Sequence, residues 1–327
     1  MMKQASLSDS RTNLTRNAIS CLFLTLILFT TGFMTTLSRG EDDKTVLCFV
    51  SHQTSHGFGK HEYSAGSQLI GQWLEEAYPK SSIETRFSVE WPEDPDTFFK
   101  GADTVVFFCS GGAKHLVNEH AAEFDKVMRT GAGIACLHYA VEVPIGPSAK
   151  GMLNWMGGYF EAGWSVNPHW TAEFATFSEH PASRGIKPFK IEDEWYFHMR
   201  FVGDMAGVTP VLSAAAPAET MARPDGAHSG NPTVREEVAA GEPQHVAWAY
   251  QRGDDYNQGR GFGFTGLHYH SNWSNDSFRK TVLNGVAWSA HLEIPEGGVE
   301  SPRPSAEFLD ANALKFGGEQ APKKKAK

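Results

Sequence analysis

The chain has 327 residues, of which 41% are hydrophobic and 20% are charged, a composition typical of a soluble globular protein with one large or two small domains. The formal net charge of −9 argues against a general nucleic-acid-binding protein, because such a protein carries a basic stripe. We therefore expect no nucleic-acid partner, and the short basic end "PKKKAK" is interpreted as a solvated tail.

The first 40 residues predict a secretory signal peptide. Arg11 and Arg16 precede a long apolar run without charge, and Ser38 and Gly40 provide small residues at a cleavage site. We expect export to the periplasm or the extracellular space. An uncleaved leader that anchors the chain in a membrane is the alternative.

Three nearly apolar segments predict strands that are buried on both faces of a parallel sheet. They are Thr45–Ser51, Asp103–Ser110 and Gly133–Leu137. Each contains one cysteine, and an odd number of such thiols favours core packing over a disulfide framework. A further strand is predicted in "SIETRFSV", and helices are predicted in "EYSAGSQLIGQWLEEAY" and "NEHAAEFDKVMRT", the second ended by Gly131. Strands and helices alternate, so the predicted fold class is α/β, with helices on both faces of a mostly parallel sheet.

The later part of the sequence is less regular. Strands are predicted in "FKIEDEWYFHMRF", "VTPVLS", "HVAWAYQR" and "GFGFTGLHYH", and a final amphipathic helix in "SFRKTVLNGVAWSAHL". Residues 217–243 are interpreted as a long excursion. No second core is visible, so we predict one domain over residues 44–294, followed by a C-terminal extension over residues 295–327.

Histidines follow several of the predicted strands. Ligands of a parallel sheet bind outside the carboxyl ends of its strands, so His52 and His56, His138, and the pair His268 and His270 are candidates. If "HYH" is part of a strand, both of its imidazoles lie on one face, which is either a site or an exposed surface. The other loop histidines, His61, His115 and His120, are interpreted as surface residues.

The segment "IEDEWYFHMRF" predicts an acidic strand. In a strand, Glu194, Tyr196 and His198 share one face, and Asp193 falls on the apolar side. A buried carboxylate must be paired, hydrogen-bonded or protonated, so Asp193 either lies at the rim of the strand or serves acid–base chemistry or metal ligation.

The segment "GGYFEAGWSVNPHW" interleaves aromatic and hydrogen-bonding residues, including Trp164, Asn167 and His169. Such a pattern suits a sugar, which has apolar ring faces and polar edges. A loop packed by its own aromatic rings is the alternative.

Five segments together resemble the ThuA-like family, named for a trehalose-utilisation protein, and are most similar to exported members from planctomycete-type bacteria. They are "SHGFGKHEY", "GAGIACLHYAVEVP", "GGYFEAGWSVNPHW", "DEWYFHMRF" and "GFGFTGLHYHSNWSNDSFRKTVLNGVAW".

The resemblance implies a flavodoxin-like fold similar to that of class I glutamine amidotransferases. It places His138 at the corner where those enzymes carry their nucleophile and leaves Cys136 inside the strand, so glutamine hydrolysis is not expected. The family pattern also includes an acidic-aromatic strand, matched by Asp193, Glu194 and Tyr196, and a late Gly-His. His268 matches that histidine, but Leu267 replaces the glycine.

ThuA relatives are linked to sugars and notably to keto-sugars. We therefore expect an exported enzyme acting on a keto-sugar or glycoside, by isomerisation, elimination or hydrolysis next to the ketone; a non-catalytic sugar-binding module is the alternative.

His138 and His268 are the predicted bases or metal ligands, with Glu194 or Asp193 as acid–base partner. His56, His138 and His268 would hold a divalent metal, zinc or manganese. The predicted sugar-binding residues are His52, His56, Trp164, Asn167, His169, Tyr196, His198 and His270.

Overall fold

The computed structural model describes residues 44–79 and 82–317. The predicted signal peptide and the basic tail lie outside the described residues. Among the helices of the described residues, none is long and apolar enough to cross a membrane.

A seven-stranded sheet forms the centre of the described chain, in the order β2-β1-β3-β4-β11-β10-β9. The first five of these strands are parallel neighbours, whereas β10 runs antiparallel to both β11 and β9. The parallel part has the strand order of a flavodoxin-like doubly wound sheet. Two small two-stranded sheets pair β5 with β8 and β6 with β7. The strands are β1 Thr45–Ser51, β2 Ile83–Val89, β3 Thr104–Phe108, β4 Gly133–Leu137, β5 Gly158–Tyr159, β6 Trp170–Phe174, β7 Phe189–Asp193, β8 Arg200–Phe201, β9 Val208–Ala215, β10 Pro243–Gln251 and β11 Arg260–Phe264.

Alternate residues of the central strands enter two separate cores. Leu47 and Phe49 of β1 pack with α1 and α6 on one face, and Cys48 and Val50 pack with α3 and α4 on the other. Because every residue of β1 is buried, the nearly apolar sequence of this strand is explained by helices on both faces. The predicted α/β class is therefore confirmed. The helices are α1 Tyr63–Ala77, α2 Pro95–Phe98, α3 Ala121–Arg129, α4 Pro147–Met156, α5 Pro232–Ala240, α6 Asp276–Ser289 and α7 Ala306–Lys315.

The predicted single strand over Phe189–Phe201 is wrong. Strand β7 ends at Asp193, and the next six residues belong to no strand. Arg200 and Phe201 then form the short strand β8, which pairs with β5. The strand ends here because the Asp193 side chain and Glu194 bond to other loops. Glu194, Tyr196 and His198 therefore do not share a strand face.

The predicted strand "GFGFTGLHYH" is also too long. Strand β11 ends at Phe264, and His270 begins a 3-10 turn, so His268 and His270 are not neighbours on one strand face. Their side chains have separate partners: His268 faces the loops at the sheet edge, and His270 bonds to Asn312 of helix α7.

The excursion over residues 217–243 folds back onto the domain. It contains α5, which starts at the Asn231 cap and ends at Gly241 in the left-handed conformation. The Gly163 backbone N–H donates to the Ala227 carbonyl at 2.7 Å, and the Asn231 side chain donates to Trp164 O at the same distance. The excursion therefore covers the loop that contains the aromatic segment.

Candidate metal centre

Four loops bring three histidines and one glutamate together at the edge of the sheet. His61 lies between β1 and α1, His138 directly follows β4, Glu194 directly follows β7, and His268 lies after β11. Each residue contributes one ligand atom, and these atoms all lie within 4.8 Å of one another. His138 and His268, which are far apart in the sequence, thus share one site.

Three distances between the ligand atoms match those around a single metal ion, and two are longer. His61 Nε2 lies 3.0 Å from His138 Nε2 and 2.9 Å from His268 Nδ1. Glu194 Oε2 lies 3.0 Å from His268 Nδ1, 3.5 Å from His138 Nε2 and 3.9 Å from His61 Nε2. Two ligands bonded to zinc at their usual lengths, at angles of about 90° to 109°, lie about 2.9 to 3.4 Å apart.

Hydrogen bonds outside the cluster orient two of the imidazoles. His138 Nδ1 lies 2.8 Å from the Thr265 carbonyl oxygen. That oxygen can only accept, so Nδ1 carries the hydrogen and, in the neutral ring, Nε2 presents its lone pair to the cluster. His61 Nδ1 bonds to the Tyr63 hydroxyl at 2.6 Å, which likewise leaves its Nε2 facing inward.

A cation satisfies this arrangement better than a proton does. One hydrogen on His61 Nε2 serves only one of its two nitrogen neighbours, whereas an ion at the centre binds all three lone pairs. His268 Nε2 is buried and has no partner among the described residues, so this ring is held through Nδ1 alone. The three imidazoles and the carboxylate are thus a donor set suited to zinc or manganese.

The protonation states also suit a metal. Burial lowers the pKa of His61 to about 3, which keeps its imidazole neutral. Burial alone would raise the pKa of Glu194, but the close approach of His138, His268 and His61 outweighs it and holds this pKa below its usual range. A neutral imidazole and an ionised carboxylate are the forms that coordinate cations.

Backbone strain is also present at this site. His61, His138 and Leu267 have φ values of 49°, 53° and 88°. Positive φ is uncommon for residues other than glycine and persists where the surroundings impose it. Leu267 occupies the position at which the family pattern has glycine, and the value of its φ explains why glycine suits that turn.

Asp193 holds this strained turn in place. Its Oδ1 accepts hydrogen bonds from the backbone N–H groups of Glu194 and His268, and its Oδ2 accepts from Leu267 N and Asn272 Nδ2, at 2.8 to 3.0 Å. Burial raises the pKa of Asp193, and the nearby His138 and these hydrogen bonds oppose that shift. All four bonds join the carboxylate to protein groups, so Asp193 positions two members of the cluster and does not face a ligand.

Four predicted residues surround the cluster without joining it. The exposed His56 ring lies against the His61 ring, with centroids 3.7 Å apart and an angle of 39° between the rings. His61, and not the predicted His56, is a member of the cluster. The other three approach Glu194: Asn167 Nδ2 donates to Oε1 at 3.2 Å, Tyr196 Oη lies 3.4 Å from Oε2, and His169 Nε2 lies 4.0 Å from Oε1.

Trp164 and His198 do not present free surfaces for a sugar. The Arg200 guanidinium lies 3.9 Å from the Trp164 ring centroid, and the His198 ring stacks on the same indole at 4.1 Å. His198 is buried, and its two nitrogens bond to Trp164 O and to Glu237. The aromatic segment is thus packed in part by its own rings, which is the alternative that the sequence left open.

His52 and His270 are also occupied elsewhere. His52 Nδ1 accepts from Ser110 N at 3.0 Å, and its Nε2 lies 3.1 Å from Glu90 Oε2. His270 is buried against α7, with Nε2 3.0 Å from Asn312 Oδ1. Neither histidine contacts the four clustered residues.

The interpretation of His61 as a surface residue is wrong. Its side chain is 2% exposed. Its backbone N–H donates to the His268 carbonyl, and this hydrogen bond joins the loop after β1 to the loop after β11. The available signal was its place in "SHGFGKHEY", one of the segments that carry the family resemblance. His115 is buried as well, with Nε2 bonded to the Ala140 carbonyl.

Cys136 lies inside β4 with no exposed surface, two residues before the corner. Burial raises the pKa of its thiol well above the usual value. The thiol therefore faces the core beside α4, and the residue at the corner is the strained His138.

Comparisons with known proteins agree with this architecture. The family model ThuA, described as trehalose utilisation, matches residues 46–289. A ThuA-like protein of Bacteroides uniformis superposes with a TM-score of 0.52 at 13% identity, covering 78% of this chain and 94% of that one. A ThuA-like protein of Parabacteroides merdae gives a TM-score of 0.47 at 14% identity, covering 80% and 94%. No curated protein matches the sequence significantly. Because the family model spans most of the chain, including all four clustered residues, the protein belongs to the ThuA family.

Proposed function

We propose that this protein is a metal-dependent, carbohydrate-active enzyme that acts next to the ketone of a keto-sugar or glycoside. The observation that carries the proposal is the convergence of three imidazole nitrogens and one carboxylate oxygen from four loops. The family description, trehalose utilisation, supports a sugar as substrate. Zinc and manganese are the metals that this donor set favours.

The metal would polarise the ketone oxygen and so acidify the neighbouring C–H bond. His61, His138, His268 and Glu194 would hold this metal beside the bound substrate. The side chains outside the cluster then perform the proton chemistry.

His169 is the best-placed base at the rim of the site. Burial lowers its pKa, so its imidazole is neutral near pH 7 and can accept the proton next to the ketone. Tyr269 Oη holds its Nδ1 at 3.2 Å, which leaves Nε2 on the side of Glu194. Burial also raises the pKa of Tyr196 well above its usual value, so its hydroxyl keeps its hydrogen and can donate to a substrate oxygen.

The first test is metal analysis of the purified full-length protein and of its His138→Ala and His268→Ala variants. We expect about one zinc or manganese ion per wild-type chain and a large loss in both variants, because each removes one of four ligands. His52→Ala is the matched control, since this histidine lies at the same edge of the sheet without contacting the cluster, and it should keep its metal.

The second test is turnover of a 3-keto-glucoside, followed by NMR, with and without a chelator. The proposal requires turnover that the chelator abolishes and that added metal restores. If the wild-type protein were active without bound metal, the proposed metal dependence would be refuted. Binding of the sugar without any turnover would instead support the sugar-binding module.

A further inference from the structure

Glu142 and His228 form a pair outside the histidine cluster. Glu142 lies just beyond the 3-10 turn that follows β4 and is 5% exposed. His228 comes from the excursion, 86 residues later, and its Nε2 lies 2.9 Å from Glu142 Oε1. This hydrogen bond raises the pKa of His228, so the ring is charged to a greater extent near neutral pH than a free histidine. A buried carboxylate hydrogen-bonded to a half-exposed imidazole can hold a proton on that imidazole where solvent reaches it.

Two buried aromatic rings, those of Phe160 and Tyr196, lie between this pair and the cluster. The Phe160 ring stacks on His228 with centroids 5.4 Å apart and lies 5.4 Å from the Tyr196 ring. Tyr196 in turn lies 4.8 Å from the His138 ring. The pair is therefore connected to His138 through packed rings, and the negative charge of Glu194 contributes to the raised pKa of His228.

Asn167 connects the two groups by hydrogen bonds. Its backbone N–H donates to the His228 carbonyl at 3.1 Å, and its side chain donates to Glu194 Oε1 at 3.2 Å. The Arg223 guanidinium donates to both Asn167 Oδ1 and His228 O at 2.9 Å. The position of His228 relative to Glu194 is thus fixed.

His228 has one ring nitrogen free for a ligand. Nε2 is held by Glu142, and Nδ1 forms no hydrogen bond with any residue in the described ranges. The side chain is 38% exposed. This is the geometry of a histidine that is oriented by a carboxylate on one nitrogen and exchanges a proton through the other.

We propose that His228, oriented by Glu142, is the general acid of the site and protonates the leaving oxygen of a glycoside whose ketone is bound at the histidine cluster. The inference rests on the proposed function and narrows it to an elimination. The C–H bond beside the ketone breaks, its proton passes to His169, and its electron pair forms a C=C bond. The C–O bond at the next carbon breaks, and the leaving oxygen keeps the electron pair of that C–O bond and takes the Nδ1 proton of His228. No oxidant or reductant is needed, because His169 then releases its proton to water and His228 regains one from water.

The test compares two 3-keto-glucosides that differ in their leaving group. The p-nitrophenyl glycoside releases a stable phenolate without protonation, whereas the methyl glycoside releases methanol and needs an acid. In His228→Ala we expect the rate on the methyl glycoside to fall about 100-fold or more, with at most about a threefold change on the p-nitrophenyl glycoside. Glu142→Gln keeps the shape of the side chain but removes its charge. This variant should also lose activity mainly on the methyl glycoside, but by a smaller factor than His228→Ala.

His120→Ala is the matched control, because His120 pairs with Glu123 at 3.5 Å on the surface and should leave both rates unchanged. Metal content is measured in every variant and should equal that of the wild type. Equal losses on both glycosides, or no loss on either, would overturn the role of His228 while leaving the proposed function in place. A wild type that acts on neither glycoside would overturn the proposed function and this inference together.

Discussion

Replacing Asp193 with asparagine preserves the shape of a buried side chain but removes its charge and one of its two acceptor atoms. The carboxylate accepts four hydrogen bonds, two on each oxygen. An amide has one carbonyl oxygen, and its NH2 group faces donors, so two of the four donors lose their partner. Each buried, unpartnered donor costs about 1 to 3 kcal/mol, so we expect Asp193→Asn to lower the free energy of unfolding by about 2 to 6 kcal/mol.

The same change should weaken metal binding. The donors that lose their partner are either the N–H groups of Glu194 and His268 on Oδ1, or Leu267 N and the Asn272 side chain on Oδ2. Either loss loosens the turn that carries His268. Removing a group that orients metal ligands lowers affinity about 10- to 100-fold.

Urea unfolding followed by tryptophan fluorescence measures the stability, and competition with a chromophoric chelator measures the metal affinity. Glu192→Gln is the matched control, because Glu192 is the preceding residue, is exposed, and bonds to Asn272 only through its backbone carbonyl. If Asp193→Asn lost less than about 1 kcal/mol, the four hydrogen bonds would not be supporting the strained turn in the way that we infer.

Three further changes test separate parts of the interpretation. Cys136→Ala should lose about 1 to 2 kcal/mol of stability and keep its metal and any turnover, whereas loss of turnover at full stability would contradict the core position of the thiol. Burial lowers the pKa of His115 to about 3, and its Nδ1 accepts from Val117 N, so the folded state binds no proton there while the unfolded state does below pH 6.5. Acidification from pH 6.5 to pH 5 should therefore cost about 2 kcal/mol through this residue, and urea unfolding of His115→Gln should show a correspondingly shallower loss. His56→Ala should retain metal, whereas His61→Ala should not, and the opposite result would restore the ligand set predicted from the sequence.

The sheet was predictable because its strands are buried on both faces. Every residue of Thr45–Ser51 and Gly133–Leu137 is buried, so each strand appears in the sequence as a short apolar run between helical patterns. The prediction that Cys48, Cys109 and Cys136 serve core packing is confirmed for the same reason, since all three are completely buried and unpaired.

The two strands that were predicted too long fail for a shared reason. Period-two patterns continue past Asp193 and past Phe264, but the backbone groups beyond these residues bond to other loops. His61 N donates to His268 O, and Leu267 N donates to Asp193 Oδ2. These backbone groups therefore join loops and are not available to extend the ladder of a strand. Long-range bonds of this kind leave no local pattern in a sequence.

The histidine cluster was predictable only in part. Parallel topology places the residues after β4 and after β11 at one edge, and the sequence accordingly placed His138 and His268 in one site. It did not distinguish His56 from His61, which lie five residues apart in one loop. That choice depends on the positive φ of His61 and on its backbone bond to the β11 loop, which turn its imidazole inward and leave His56 stacked outside it.

Several positions at which local rules fail lie at the proposed site. His61, His138 and Leu267 all take left-handed backbone conformations, and Asp193 is a carboxylate on the apolar side of its strand. Each feature is unfavourable when considered alone, since a left-handed residue other than glycine and a buried charge both cost free energy. Together they compensate one another, because the Asp193 carboxylate binds the N–H groups of the strained turn, and that turn presents His268 to the other ligands. Glycine at the left-handed positions and an apolar residue in place of Asp193 would avoid both costs, so we attribute the arrangement to the proposed metal site.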